Sequence, residues 1–84
     1  MQFNFLRVTM KRGVLRTFDL SPDGVQIIID WGSMVVGSSI FVPCINTPQA
    51  VKQAKAITKK KGWAIETRVR VESGKLGVRV WRVL

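Results

Sequence analysis

The segment from Trp63 to Leu84 leaves the least freedom to the fold. From Trp63 to Glu72 the side chains alternate strictly: Trp63, Ile65, Thr67, Val69 and Val71 fall on one side, and Ala64, Glu66, Arg68, Arg70 and Glu72 on the other. A period of two is the signature of a strand with two unlike faces. Ser73-Gly74 then reads as a two-residue hairpin turn, although Ser is less suited than Asn to positive φ. Lys75 to Leu84 returns antiparallel. Counting outward from the turn sets the register. Glu72 faces Lys75, Val71 faces Leu76, Arg70 faces Gly77, Val69 faces Val78, Arg68 faces Arg79, Thr67 faces Val80 and Glu66 faces Trp81.

That register sorts the hairpin into an apolar inner face and an outer face of Arg68, Arg70, Arg79 and Trp81 with Glu66, Glu72 and Lys75. Arg68 opposite Arg79 is a like-charge pair that costs a few tenths of a kcal/mol, and an anion between them would reverse the sign. Trp81, a flat aromatic among arginines, suits base stacking with phosphate neutralisation. The plainer alternative is a Trp81 covered by another strand or by Trp31-Gly32-Ser33, with the arginines merely solvated. A three-residue turn would also move Trp81 inward. Trp31 and Trp63 read as core or core-edge residues.

The charge of the chain is as lopsided as its hairpin. Residues 47–84 hold ten Lys or Arg against two acids, and residues 1–46 hold four against three. Between Thr17 and Val51 there is no basic residue. Like charges concentrated on a small domain repel one another, so a negative partner is expected. Much of the charge lies on a predicted helix that starts with Thr47 as N-cap and Pro48 at N1 and stops at Gly62 as C′. Its apolar stripe is Ala50, Val51, Ala54 and Ile57, with Thr58 at the edge. Lys52, Lys55 and Lys59 line one face, and Lys60 and Lys61 extend the charge around the helix end, where the dipole favours cations. No acid lies between Thr47 and Ala64 to pair with them. Five phosphate contacts there would give a salt slope of about −4 to −5 on duplex DNA. A solubilising face is the plainer reading of the same lysines.

The first half reads as strands and turns. Gln2–Met10 and Val14–Leu20 suggest an N-terminal β-hairpin with Lys11-Arg12-Gly13 at its tip, where Lys11 and Arg12 could track a nucleic-acid backbone. Ser21-Pro22-Asp23-Gly24 is a strong turn signal. Val25–Asp30 is β-branched and reads as a buried strand, which Trp31-Gly32-Ser33 breaks. Gly37-Ser38-Ser39 forms a second turn or leads into a short strand, Ile40-Phe41-Val42, that Pro43 ends.

Several chemistries are excluded or disfavoured. There is no histidine, so the commonest general base and metal ligand are missing. Asp23 has a sufficient role in its turn, Asp19 and Asp30 could share a metal only by a coincidence of the tertiary fold, and no metal or cofactor site is expected. The single Cys44 cannot form an internal disulfide and reads as a buried structural thiol. No apolar run reaches a membrane-spanning length, and Met1–Thr9 does not read as a signal peptide. A cytoplasmic, non-enzymatic protein is therefore expected.

Two segments, Val36-Gly37-Ser38-Ser39-Ile40-Phe41-Val42-Pro43 and Gly77-Val78-Arg79-Val80-Trp81-Arg82-Val83, together with the basic helix between them, resemble small uncharacterised proteins of tailed bacteriophages. Where that pattern has an acidic or Asp-bearing turn near Gly37, this chain has Ser38-Ser39. The resemblance implies a viral protein acting in a bacterial host cytoplasm. It implies no activity and no site residues.

The expected fold is a single α+β domain over residues 1–84: an antiparallel sheet of about five to six strands with one helix on one face, in the order β-β-β-β-α-β-β. Its core would hold Phe5, Val8, Phe18, Ile27, Ile29, Phe41, Val42, Val51, Ala54, Ile57, Ile65, Val69, Val71, Val78 and Val80. The expected function is backbone-driven nucleic-acid binding, to DNA rather than RNA, with single strands slightly favoured. It would use Lys11, Arg12, Lys52, Lys55, Lys59, Lys60, Lys61, Arg68, Arg70, Arg79 and Trp81. The alternative is an inhibitor or adaptor that docks on an acidic face of a host protein, marked by an apolar patch of Met34, Val35 and Val36 ringed by arginines. A virion-associated protein facing the packaged genome is a third option. No membrane partner is expected. A homodimer stays open, since a domain of this size buries only about 60–65% of its unfolded surface.

Overall fold

A computed structural model describes residues 8–11 and 18–84 of the chain. The described elements are β1 (Val8–Lys11), β2 (Gln26–Ile29), a 3-10 turn at Trp31–Ser33, β3 (Ser39–Pro43), α1 (Thr47–Lys60), β4 (Ile65–Glu72) and β5 (Lys75–Arg82). The class is α+β, with one helix and antiparallel strands among the described residues. The strands divide into a β1-β2 ribbon and a three-stranded sheet in the order β3-β5-β4, in place of one sheet of five or six strands.

The β4–β5 hairpin has the register that its alternation dictates, from Glu72 opposite Lys75 to Glu66 opposite Trp81. Ser73 and Gly74 both take positive φ, 50° and 75°, the twist that a two-residue turn needs to match the strands. β3 joins the other edge of β5, with Ile40 opposite Val80, Phe41 opposite Arg79 and Val42 opposite Val78. Gly77 is required where β3 and β5 meet. A Cβ there would lie 2.3 Å from the Val42 carbonyl oxygen and 2.6 Å from the tip of the Phe41 ring.

The helix covers the inner face of this sheet. Its buried side chains are Ala50, Ala54, Ile57 and Thr58, small enough to bring the helix close to Val78 and Val80. The cap is Asn46 rather than Thr47: the Asn46 side chain accepts a hydrogen bond from the Gln49 N–H at 3.2 Å. Asn46 wins because Asp23 holds the preceding loop. One Asp23 carboxylate oxygen accepts the Ile45 N–H and the other the Asn46 N–H, both at 2.8 Å. At the far end Trp63 N–H bonds the Thr58 carbonyl and Gly62 N–H the Lys59 carbonyl. Gly62 takes φ +73°, which completes a Schellman stop.

The N-terminal hairpin is corrected in part. β1 pairs with β2, Val8 opposite Ile29 through Lys11 opposite Gln26. Leu20 bonds the other edge of β2, exchanging both backbone bonds with Ile27. The tight Ser21–Gly24 turn folds Leu20 straight back onto β2, so Leu20 lies across β2 from β1. Residues 1–7 and 12–17, which hold the remainder of the expected hairpin, lie outside the described residues.

One core joins the layers. Leu20, Ile27, Ile29, Trp31, Met34 and Cys44 pack with Ile40, Val42, Ala50, Ala54, Ile57, Val78 and Val80, and Val51, Trp63 and Ile65 lean against them. Four expected core residues sit elsewhere. Phe41 points to the outer face, because its neighbours Ile40 and Val42 take the inner one. Phe18 is exposed, with the Lys61 ammonium 4.4 Å from its ring centre. Val69 and Val71 face inward but lie beyond the reach of the helix and are exposed. Phe5 and the side chain of Val8 lie outside the described residues.

Candidate functional site

The outer face of the three-stranded sheet carries the strongest candidate. Trp81 sits there, partly exposed, between Ser39 on β3 and Glu66 on β4. An open groove of about 800 Å³ is lined by Trp81, Glu66, Arg68 and Arg70 and by Val36, Gly37 and Val83. Trp31-Gly32-Ser33 does not cover Trp81, because Trp31 is buried in the core with its indole N–H donated to the Phe18 carbonyl at 2.8 Å. The rim at Val36 comes from a turn over Val35–Ser38 with Gly37 at φ +92°. Backbone bonds from Gly37 N–H to the Arg82 carbonyl and from Arg82 N–H to the Ser38 carbonyl seat this turn against the end of β5.

The expected arginine trio separates. Arg79 donates through Nε and Nη2 to the two Glu72 carboxylate oxygens, and through Nη1 to Ser39 Oγ at 3.2 Å. Its guanidinium also lies 5.7 Å from the centre of the Phe41 ring. The anion that relieves the Arg68–Arg79 opposition is therefore Glu72 of the same hairpin. Arg70 stands 3.4 Å from Glu72 and is half exposed. The Arg79 hydrogen bonds, with the charges of Arg79 and Arg70, hold the Glu72 carboxyl below its usual value, against a smaller opposing effect of burial. Arg68 is exposed and has no hydrogen-bonding or ionic partner among the described residues.

The lysines lie on the other side of the molecule. Lys52, Lys55, Lys59 and Lys60 are exposed on a helix that packs against the inner face of the sheet. They and the groove therefore point apart. Lys61 stands apart from the stripe, with its ammonium over the rings of Phe18 and Trp63 at 4.4 and 5.4 Å. Lys11 ends β1 opposite Gln26, and Arg12 lies outside the described residues.

Some residues at or near the groove were not legible in the strand alternation. Arg82 is a bracing cation: it stacks 3.8 Å from the Trp63 ring centre and donates to the Met34 carbonyl at 2.8 Å. Of the expected apolar patch, Met34 is buried, while Val35 and Val36 are exposed and Val36 reaches the groove beside Val83. Cys44 is buried, and burial first, then the Asp23 charge, pushes its thiol up to about 11, so it stays protonated at neutral pH. Among the described residues no cluster of side chains could hold a metal ion, and no helix is long and apolar enough to cross a membrane.

No family model, no curated protein and no solved structure matches the chain.

Proposed function

We propose that this chain is a small, non-enzymatic nucleic-acid-binding protein that takes single-stranded DNA along the outer face of its hairpin. The observation that carries this reading is the pairing of Trp81 with Arg68 in one open groove. An aromatic face stacks on any base, and the exposed guanidinium beside it neutralises the adjoining phosphate. Arg70 supplies a second cation. Glu66, at the Trp81 end, repels phosphates and directs the backbone toward the Arg68–Arg70 side. The resemblance to tailed-bacteriophage proteins makes a phage-infected bacterial cytoplasm the proposed setting.

The test is titration of labelled single-stranded and duplex oligonucleotides at two salt concentrations. Binding of the single strand at about 50 mM salt, weakening as salt rises, is expected. Absence of binding at that salt overturns the reading.

A second reading, an adaptor or inhibitor on an acidic host protein, is favoured by Val36 and Val83, which make the groove rim apolar beside its arginines. Capture of the same host protein before and after nuclease treatment would favour it over nucleic acid.

A further inference from the structure

Among the described residues, one edge of the three-stranded sheet is open. β4 is the outer strand of its sheet, and no described residue bonds its far side. In a two-residue hairpin the residues flanking the turn exchange both bonds. Glu72, Arg70, Arg68 and Glu66 therefore bond β5, as Ala64 does further along with Leu84. Ile65, Thr67, Val69 and Val71 direct their N–H and C=O groups to the open edge. Edge strands are usually blunted by a bulge, a proline, charged side chains or an inward-pointing charge. β4 has charges on its outer face alone: its register with β5 is unbroken over all its residues, it holds no proline, and its inward side chains beyond the helix are valines. Val69 is 53% exposed and Val71 68%, with Leu76 beside them at 41%.

We propose that a second copy of this chain pairs antiparallel with that edge, β4 to β4, giving a continuous six-stranded sheet. The charges of the strand select the occupant and the register. Glu66-Thr67-Arg68-Val69-Arg70-Val71-Glu72 is a charge palindrome about Val69. A two-fold axis at Val69 would set Glu66 against Glu72 and Arg68 against Arg70, all like pairs, which destabilise. Moving the axis to Arg68 sets Glu66 opposite Arg70 of the second copy, twice by symmetry. It also sets Ile65 opposite Val71 and Thr67 opposite Val69, and leaves one like pair, Arg68 with its own copy. An axis at Arg70 would shorten the overlap and draw on Glu72, which Arg79 holds through two nitrogens, whereas Arg70 meets Glu72 by a single 3.4 Å contact and is half exposed. Glu66 is exposed and has no ionic partner among the described residues.

The pairing covers both exposed valines and leaves Trp81 on the open outer face, while it engages Glu66 and Arg70, which also line the groove. It is measured without nucleic acid, so failure to dimerise and failure to bind nucleic acid are separate outcomes.

Sedimentation equilibrium of the full chain tests it. The expected result is a dimer at about 100 μM in about 0.3 M salt, where repulsion between the copies is screened. Glu66→Lys and Arg70→Glu each weaken the dimer by about tenfold or more, and the charge swap Glu66→Arg with Arg70→Glu restores it. Arg68→Ser removes the axial repulsion and tightens it severalfold. These side chains are exposed, so the variants keep the fold, which circular dichroism checks. Arg68→Cys sits in a non-hydrogen-bonded pair on the axis, with Cα atoms about 4.5 Å apart, and oxidises to a covalent dimer. Val69→Cys and Arg70→Cys do not. A monomer under these conditions, or cross-linking at position 69 or 70 in place of 68, overturns the proposal.

Discussion

Arg79 reaches past Gly77 on the outer face of β5 and binds the carboxylate of Glu72 through two nitrogens. Gly77 has no side chain in the way, the Phe41 ring tip lies over it, and the guanidinium stacks above that ring. A paired-strand diagram places Glu72 opposite Lys75 and Arg79 opposite Arg68. The actual ion pair crosses this pattern diagonally. It turns an apparent clash of arginines into a closed unit, while Arg68 has no ionic partner among the described residues.

This pair makes stability depend on pH in a defined direction. The Glu72 carboxyl is held below its ordinary value of 4.5 by Arg79 and Arg70. A depressed carboxylate contributes stability that is full above its unfolded value and is lost as pH falls through its folded one. Urea midpoints should therefore be level from pH 7 to about 5 and decline below that. Glu72→Gln should flatten this acid decline, and an unchanged decline would count against the assignment.

Gly77→Ala should destabilise the protein by roughly 1–3 kcal/mol, the usual cost of overpacking. The added Cβ meets a backbone carbonyl 2.3 Å away, which cannot turn aside as a side chain could. Chemical denaturation read by circular dichroism checks it, and a midpoint equal to that of the parent would be the contrary result.

Trp81→Ala should cost about 1–3 kcal/mol in single-strand binding, the value of one stacked base, or roughly 5- to 150-fold in affinity. Stability should change less than affinity, since Trp81 lies outside the core cluster. Fluorescence anisotropy with a short labelled oligonucleotide measures the first quantity and thermal unfolding the second.

The separation of the two basic surfaces sets the salt dependence. If only Arg68 and Arg70 meet phosphates, a single strand should show a slope of about −1.4 in log K against log salt. Replacing Arg68 and Arg70 by Gln should flatten it. Replacing Lys52, Lys55 and Lys59 by Gln should leave it unchanged. A single-strand slope of about −3 that falls with the lysine variant would instead place the nucleic acid on the helix.

The sequence by itself determined whatever depends on neighbours in the chain. Alternation and a two-residue turn prescribed every pairing from Glu72–Lys75 to Glu66–Trp81. A stripe of small residues and a terminal glycine prescribed the buried face of α1 and its end, because helical and strand periods are local properties of the backbone. Tertiary structure decided what depends on reach across the fold. Asp23 set the helix cap at Asn46 by fastening a loop more than twenty positions away. The length of the helix left Val69 and Val71 uncovered, although their parity is that of core residues. The path of a guanidinium over Phe41 removed Arg79 from the open cations and left Arg68 there. Burial and ion pairing are set by distances between elements, and no spacing along the chain encodes those distances directly.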